Sequence, residues 1–193
     1  MSLTSERVEP LGSDLRSVLL NTARASIGCG VESGSALGVF TEEYEIDLRP
    51  VRASFVTLRL EETLRGCMGT SHPVRALVED VAHNAYSAAF LDPRFSPLTA
   101  EELPHLAIHI PVLSPLERLS CPSEADLLAL VRPGLDGLLL REGSRRGTLL
   151  PSVWETLAEP HVFLRELKVK AGFRADYWSE NIEVFRYTTE SFS

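Results

Sequence analysis

The stretch "VRASFVTLRLEETLRGCMG", residues 51–69, decides how the chain is read. "VRASFVTLRL" alternates side chains in the manner of a strand, and "TLRGCMG" supports a second one. Glu61 and Glu62 sit where the chain must turn, so an antiparallel hairpin is expected with glycines near its far end. The segment after it, "PVRALVEDVAHNAYSAAF" (73–90), repeats apolar residues at helical spacing through Val74, Leu77, Val78, Val81, Ala85 and Ala88. Pro73 is expected to open that helix, since proline suits a first turn. His83 falls on the face opposite the stripe and reads as a solvated histidine.

Outward from this core the same alternation of hairpin and helix continues. "GSDLRSVLLNTARASIG" (12–28) reads as a helix capped by Ser13 or Asp14 and ended by Gly28 and Gly30. "GCGVESGSALG" (28–38) then reads as an exposed loop carrying Cys29. "LDPRFSPLTAEELP" (91–104) is a proline-punctuated loop in which Thr99 and Glu102 have capping-box spacing. "HLAIHIPVLSP" (105–115) is a strand with Leu106, Ile108, Ile110 and Val112 on one face and His105 and His109 on the other. Four residues along a strand span about 13 Å, so the two histidines cannot share one metal ion, and no metal site is expected.

After Ser123 come a short helix, the strand "LLLRE" (138–142), a turn at "GSRRG" (143–147) and the strand "TLLP" (148–151). Helices are expected at "SVWETLA" (152–158) and "PHVFLRELKVKAG" (160–172), with Gly172 as a C-terminal cap. "NIEVFRYTTESF" (181–192) alternates as one final strand. Helices and antiparallel hairpins interleave without βαβ regularity, which makes the fold class α+β. Residues 1–11 read as a mobile N-terminal tail and 12–193 as a single domain.

Composition narrows the function. The chain has 193 residues, of which 44% are apolar and 24% charged, as in an ordinary folded domain. Its 19 basic residues against 27 acidic ones give a net charge of −8, which argues against nucleic acid as a partner. Lys168 and Lys170 are the only lysines; every other cation is arginine. No run nears the roughly 18 apolar residues of a membrane helix, and the start lacks the basic and apolar regions of a secretory signal. A cytoplasmic location is expected. Cys29, Cys67 and Cys121 are too widely spaced for a disulfide framework or a CxxC pair, and read as reduced thiols.

Nucleotide-binding loops, nucleophile elbows and zinc helices are missing as motifs. The dense cluster that remains is "ETLRGCMGTSHP" (62–73). Gly66 and Gly69 allow a left-handed backbone whose N–H groups could cradle an anion. Thr70 or Ser71 could cap a helix whose dipole adds positive potential. Cys67 alternates with Arg65 on one side of an ideal strand, and His72 could serve as its base. The same residues also suit a bland structure: a small apolar thiol flanked by Leu64 and Met68, with glycines allowing close packing. A nucleophile, an anion-binding site and a purely structural strand stay open on these grounds. In "DPRF", Asp92 and Arg94 can pair as a loop clamp, or Arg94 can reach an anionic ligand. Trp154, Tyr177 and Trp178 read as packing residues.

Together, "LRGCMG", "AAFLDPRFSPLTAEELPHLAIHIPVLSPLE", "GLDGLLL", "GTLLPSVW" and "FLRELKVKAGF", in this order, resemble the AMME-syndrome candidate-region domain family. Its prokaryotic members are called AmmeMemoRadiSam system protein A. The resemblance spans about residues 12 to 192. It implies an α+β domain with a largely antiparallel sheet, flanking helices and a smaller lobe packed against the main one. It also implies a functional motif near a cleft at Leu64–Gly69, and two companions: a Memo-like protein of dioxygenase fold and a radical S-adenosylmethionine protein. No reaction, substrate or cofactor follows from it. Met68 stands where the family usually has Ile, a mild exchange. Ser152 stands where it usually has Gln, so no role of that amide carries over.

Overall fold

A computed structural model describes residues 10–193. The expected tail lies outside the described residues except for Pro10 and Leu11; Leu11 is buried, and its N–H donates to Glu190 Oε2 at 2.9 Å.

The first helix, α1 (Ser13–Ser33), runs through both glycines expected to end it and stops only at Gly34, whose φ is 72°. Packing explains why Gly30 is tolerated: a Cβ there would lie 2.2 Å from the Phe90 ring. Cys29 is therefore helical, with its thiol 3.5 Å from the Ser33 hydroxyl. Gly12 precedes the helix, and neither Ser13 nor Asp14 caps it.

The hairpin forms as expected from β1 (Phe55–Leu60) and β2 (Thr63–Gly69). Glu61 and Glu62 take φ of 46° and 67°, the left-handed pair that a two-residue turn between twisted strands requires. The next helix, α2 (Leu77–Phe90), starts later than Pro73. An antiparallel bridge between Val51 and Ala76, and the Leu77 N–H bonded to the Pro50 carbonyl, keep the approach extended. Val74 is consequently exposed rather than part of the apolar stripe. His83 is half-buried, with an Nδ1 that is enclosed and unbonded. Strand β3 (Ala107–Leu113) buries Ile108, Ile110 and Val112 as expected, while His105 belongs to the 3-10 turn before it and Leu106, also buried, caps that turn.

Beyond it come β4 (Glu117–Leu119), α3 (Glu124–Leu130) with a Ser123–Asp126 capping box, β5 (Gly137–Glu142) and β6 (Arg145–Leu149). The segment Pro151–Glu155 is a 3-10 turn, and α4 (Pro160–Lys170) ends before Gly172 at φ 81°. The single final strand expected is two: β7 (Glu183–Tyr187) and β8 (Thr189–Phe192). They belong to different sheets. Thr188, between them, exchanges hydrogen bonds with Ser114, its N–H going to Ser114 Oγ and its carbonyl receiving the Ser114 N–H.

The architecture is thus α+β with two antiparallel four-stranded sheets, ordered β2-β1-β3-β8 and β4-β7-β5-β6. The chain divides into two compact units: residues up to Leu113 with Glu190–Ser193, and Ser114–Thr189. In the first, α1 and α2 cover the sheet face carrying Val56, Leu58, Ile108 and Ile110. In the second, Leu138, Leu140, Leu167 and the stacked rings of Trp154 and Phe163 form a separate core.

Candidate functional site

"LRGCMG" lies within strand β2 and is not a turn. Neither Gly66 nor Gly69 has a left-handed φ; among the described glycines that conformation falls to Gly34, Gly134, Gly143 and Gly172. The backbone concavity expected of this motif does not form there. Both glycines answer to crowding instead. A Cβ on Gly66 would lie 2.0 Å from the Ala88 carbonyl oxygen of α2, and one on Gly69 would lie 2.3 Å from the Phe55 ring. Nor does Thr70 or Ser71 cap α2: the Thr70 hydroxyl donates to Asp80, whose buried carboxylate also accepts from Ser54 and Asn84.

Register explains where Arg65 goes. Leu58 pairs with Gly66, but the next pair is Arg59 with Leu64, so Arg65 is the extra residue of a β-bulge. A bulge breaks alternation and re-aims a side chain. Arg65 forks onto Glu102, Nε to Oε1 at 2.7 Å and Nη2 to Oε2 at 3.0 Å, rather than onto Cys67. Its Nη1 is buried and has no hydrogen-bond partner. Arg65 in turn holds the Glu102 carboxyl below its ordinary pKa. Glu102 also accepts the Thr99 N–H, one half of the expected capping box.

A second fork holds Cys67. Its N–H donates to Asp92 Oδ2 at 2.9 Å, and its carbonyl accepts from Arg94 Nη2 at 3.3 Å. Arg94 closes the clamp on Asp92 through Nε at 2.9 Å and Nη2 at 2.7 Å. Strand β2 is an edge of its sheet, and the clamp supplies the acceptor and donor that a neighbouring strand would offer. The Asp92 side chain is 2% exposed and that of Arg94 54%. Hydrogen bonds from Arg94, opposed by burial, hold the Asp92 carboxyl well below the usual carboxylate range. The pKa of Arg94 is raised, first by hydrogen bonding to Asp92, against burial, and to a smaller extent by the neighbouring Cys67.

The Cys67 thiol is half-buried and lies 3.3 Å from Thr57 Oγ1. Thr57 pairs with Cys67 on one side and with His109 on the other, so the three share the sheet face away from α1 and α2. His109 Nδ1 meets Ser193 Oγ at 3.0 Å. Burial, and after it the charge of Arg59, lowers the His109 pKa. His72 is exposed and makes no hydrogen bond to Cys67 among the described residues. The same residues contain no group of three or more metal-ligating side chains.

Cys67 and Arg94 are therefore brought together, while Arg65 and His72 are engaged or placed elsewhere. Asp92 was legible as a partner of Arg94 but not as the acceptor for Cys67. Thr57 carried no signal of its own.

The AMMECR1 family model matches residues 20–192. The chain belongs to the AMMECR1 family. A protein of Methanothermobacter thermautotrophicus is 36% identical over 187 residues, 95% of this chain and 96% of its own. One from Thermotoga maritima is 37% identical over 72% of this chain and 76% of its own. An uncharacterized protein of Pyrococcus horikoshii has a solved structure that superposes with a TM-score of 0.84 at 30% identity, covering 94% of this chain and 92% of that one. The AMMECR1 match thus includes both sheets and the whole of the Cys67 clamp. Among the described residues no helix is long and apolar enough to cross a membrane.

Proposed function

We propose that Cys67 and Arg94 form a binding site for a small anionic ligand on the first sheet. The carrying observation is Arg94 itself: a buried carboxylate anchors its guanidinium, more than half of its side chain is exposed, and its Nη2 donates to the Cys67 carbonyl at 3.3 Å. Such a cation on a rigid mount is suited to carboxylate or phosphate. In this reading the domain is cytoplasmic, and its site serves a pathway shared with a Memo-like protein and a radical S-adenosylmethionine protein. Covalent use of Cys67 is a second reading, favoured by the Thr57 hydroxyl at its sulfur.

Alkylation separates the anion site from an idle thiol. Anionic iodoacetate and neutral iodoacetamide are compared at each cysteine by mass spectrometry. An adjacent guanidinium worth about 1 kcal/mol raises the iodoacetate-to-iodoacetamide rate ratio at Cys67 about fivefold over that at Cys29 and Cys121. Arg94→Gln should abolish the excess and Arg94→Lys should keep part of it. Equal ratios at all three cysteines overturn the reading.

A further inference from the structure

We infer that strand β6, an edge of the second sheet, is an addition site for an extended acidic segment of a partner protein. The observation is a row of charges that lacks its last member. Across β7, β5 and β6, the residues Glu183, Arg141 and Arg146 oppose one another directly on one face of the sheet. Arg141 is satisfied from its β7 side. Its Nε donates to Glu183 Oε2 at 2.6 Å, and its guanidinium lies 4.8 Å from the centre of the Phe185 ring. Arg146 has the like charge of Arg141 on that side, and on the other side β6 has no neighbouring strand among the described residues. Like charges directly opposed on a pleated face destabilise the pair. Arg146 is exposed and makes no ion pair, side-chain hydrogen bond or ring contact among the described residues. In a chain of net charge −8, no shortage of acid explains this.

The other edge strands are closed in charge. On β2, Arg65 is held by Glu102, and the Asp92–Arg94 clamp takes the backbone groups of Cys67. On β4, Glu117 pairs with Arg186 at 2.7 Å and Arg118 with Glu183 at 3.2 Å. On β8, Glu190 pairs with Arg52 at 3.2 Å. Within β6 itself, Arg145 faces the opposite side, with its guanidinium 5.5 Å from the Phe173 ring centre. Glu142, the carboxylate across from Arg145, accepts from Tyr177 and Ser179. Arg146 is the charge left over.

A strand laid against β6 completes two ladders at once. Backbone groups that point away from an edge are the template for strand addition, and side chains at alternate positions supply the choice of partner. A residue directly opposite Arg146 has its Cβ about 5 Å away. An aspartate or glutamate there gives the row a carboxylate at each end, with Glu183 at the other. The same arginine disfavours pairing with a second copy of β6, which brings the same two cations. This inference does not rest on the reading of Cys67.

The test titrates the full chain, 15N-labelled, with blocked peptides of about eight residues, a usual strand length, that alternate Thr with Glu or Thr with Gln. The Glu peptide should shift the β6 amide resonances saturably, and added salt should weaken it. The Gln peptide should bind about fivefold more weakly, the upper range for one exposed ion pair. Arg146→Gln should erase the difference between the two peptides, and Arg146→Lys should keep part of it. N-methylation of alternate residues in the Glu peptide, which removes the strand donors, should abolish the shifts. Arg146→Glu sets a carboxylate opposite Arg141, so it should raise the urea midpoint of the free chain while losing the Glu peptide. The proposal is overturned if the Glu peptide leaves β6 unshifted or binds no better than the Gln peptide. It is equally overturned if the N-methylated peptide binds as well, or if Arg146→Glu lowers the urea midpoint. An oligothymidylate that shifts the same resonances at lower concentration also overturns it, in favour of nucleic acid.

Discussion

The two faces of β2 are used in opposite ways. Inward, Gly66 lies opposite Leu58 and against α2, where not even a methyl group fits. Outward, one residue later, Cys67 shows a half-exposed thiol, with Thr57 beside it and Arg94 on its backbone carbonyl. Adjacent positions of one motif therefore answer to different demands. Shape alone accounts for the glycines. It does not account for a thiol held at both of its backbone groups by an Asp–Arg fork at the edge of the sheet. The two ion pairs of the region repeat this contrast. Arg65 is the buried partner of a more exposed Glu102, whereas Arg94 is the exposed partner of a buried Asp92. The first pair locks a bulge, and the second leaves a cation at the surface.

Breaking the inner face should cost most. Gly66→Ala drives a Cβ against the Ala88 carbonyl oxygen, a backbone atom flanked by helix, so the strand or α2 must shift. A loss of about 3 kcal/mol or more is expected in urea unfolding. Ala88→Gly should not rescue it, because the obstruction is not a side chain. Next comes the clamp. Asp92→Asn removes the charged acceptor of the Cys67 N–H and the anchor of Arg94, and should cost about 2 kcal/mol. The pH dependence has a definite sign. The folded pKa of Asp92 is depressed, so its contribution is present above the unfolded value of about 3.9 and is lost as pH falls through the folded one. Wild type should weaken below about pH 4, and Asp92→Asn should weaken less steeply over the same range.

These contrasts were only partly legible in the sequence. Alternation and the Glu61–Glu62 turn suffice for the hairpin, because a period of two and a two-residue reversal are local properties. The facing of its residues is not local. Counting back from that turn without a bulge pairs Leu58 with Arg65 and Thr57 with Gly66. The bulge slips the register by one, puts Gly66 opposite Leu58 and brings Thr57 to Cys67. Nothing in the strand announces it; the need arises from α2, whose backbone admits only glycine at that point. For the same reason Gly28 and Gly30 looked like the end of a helix. Their cost within α1 is offset at Gly30 by the close approach of Phe90, a contact between distant segments. The end of the chain misled differently: "NIEVFRYTTESF" alternates without a break although it serves two sheets, since alternation records the pleat and not the partner strand.

The pair that locks the bulge sharpens the comparison at intermediate size. Glu102→Gln leaves the Arg65 guanidinium, 13% exposed and already carrying an unbonded Nη1, without its countercharge. About 1–2 kcal/mol should be lost, less than at Asp92, since Glu102 is itself partly solvated. Iodoacetate selectivity at Cys67 should persist, because Arg94 and not Arg65 is bonded to Cys67.

The smallest effect on stability is expected at the residue on which the chemistry depends. Cys67 is held by its backbone, through Asp92 and Arg94, and these bonds survive any change of side chain that keeps a strand. Its sulfur contributes one long contact to Thr57 and a half-exposed surface. Cys67→Ala should therefore change unfolding free energy by less than about 1 kcal/mol, beside about 3 or more for its neighbour Gly66. Urea unfolding of the two variants side by side measures the difference directly. If Cys67→Ala instead destabilises as strongly as Gly66→Ala, the outer face is core like the inner one, and the thiol loses its claim to a role beyond packing.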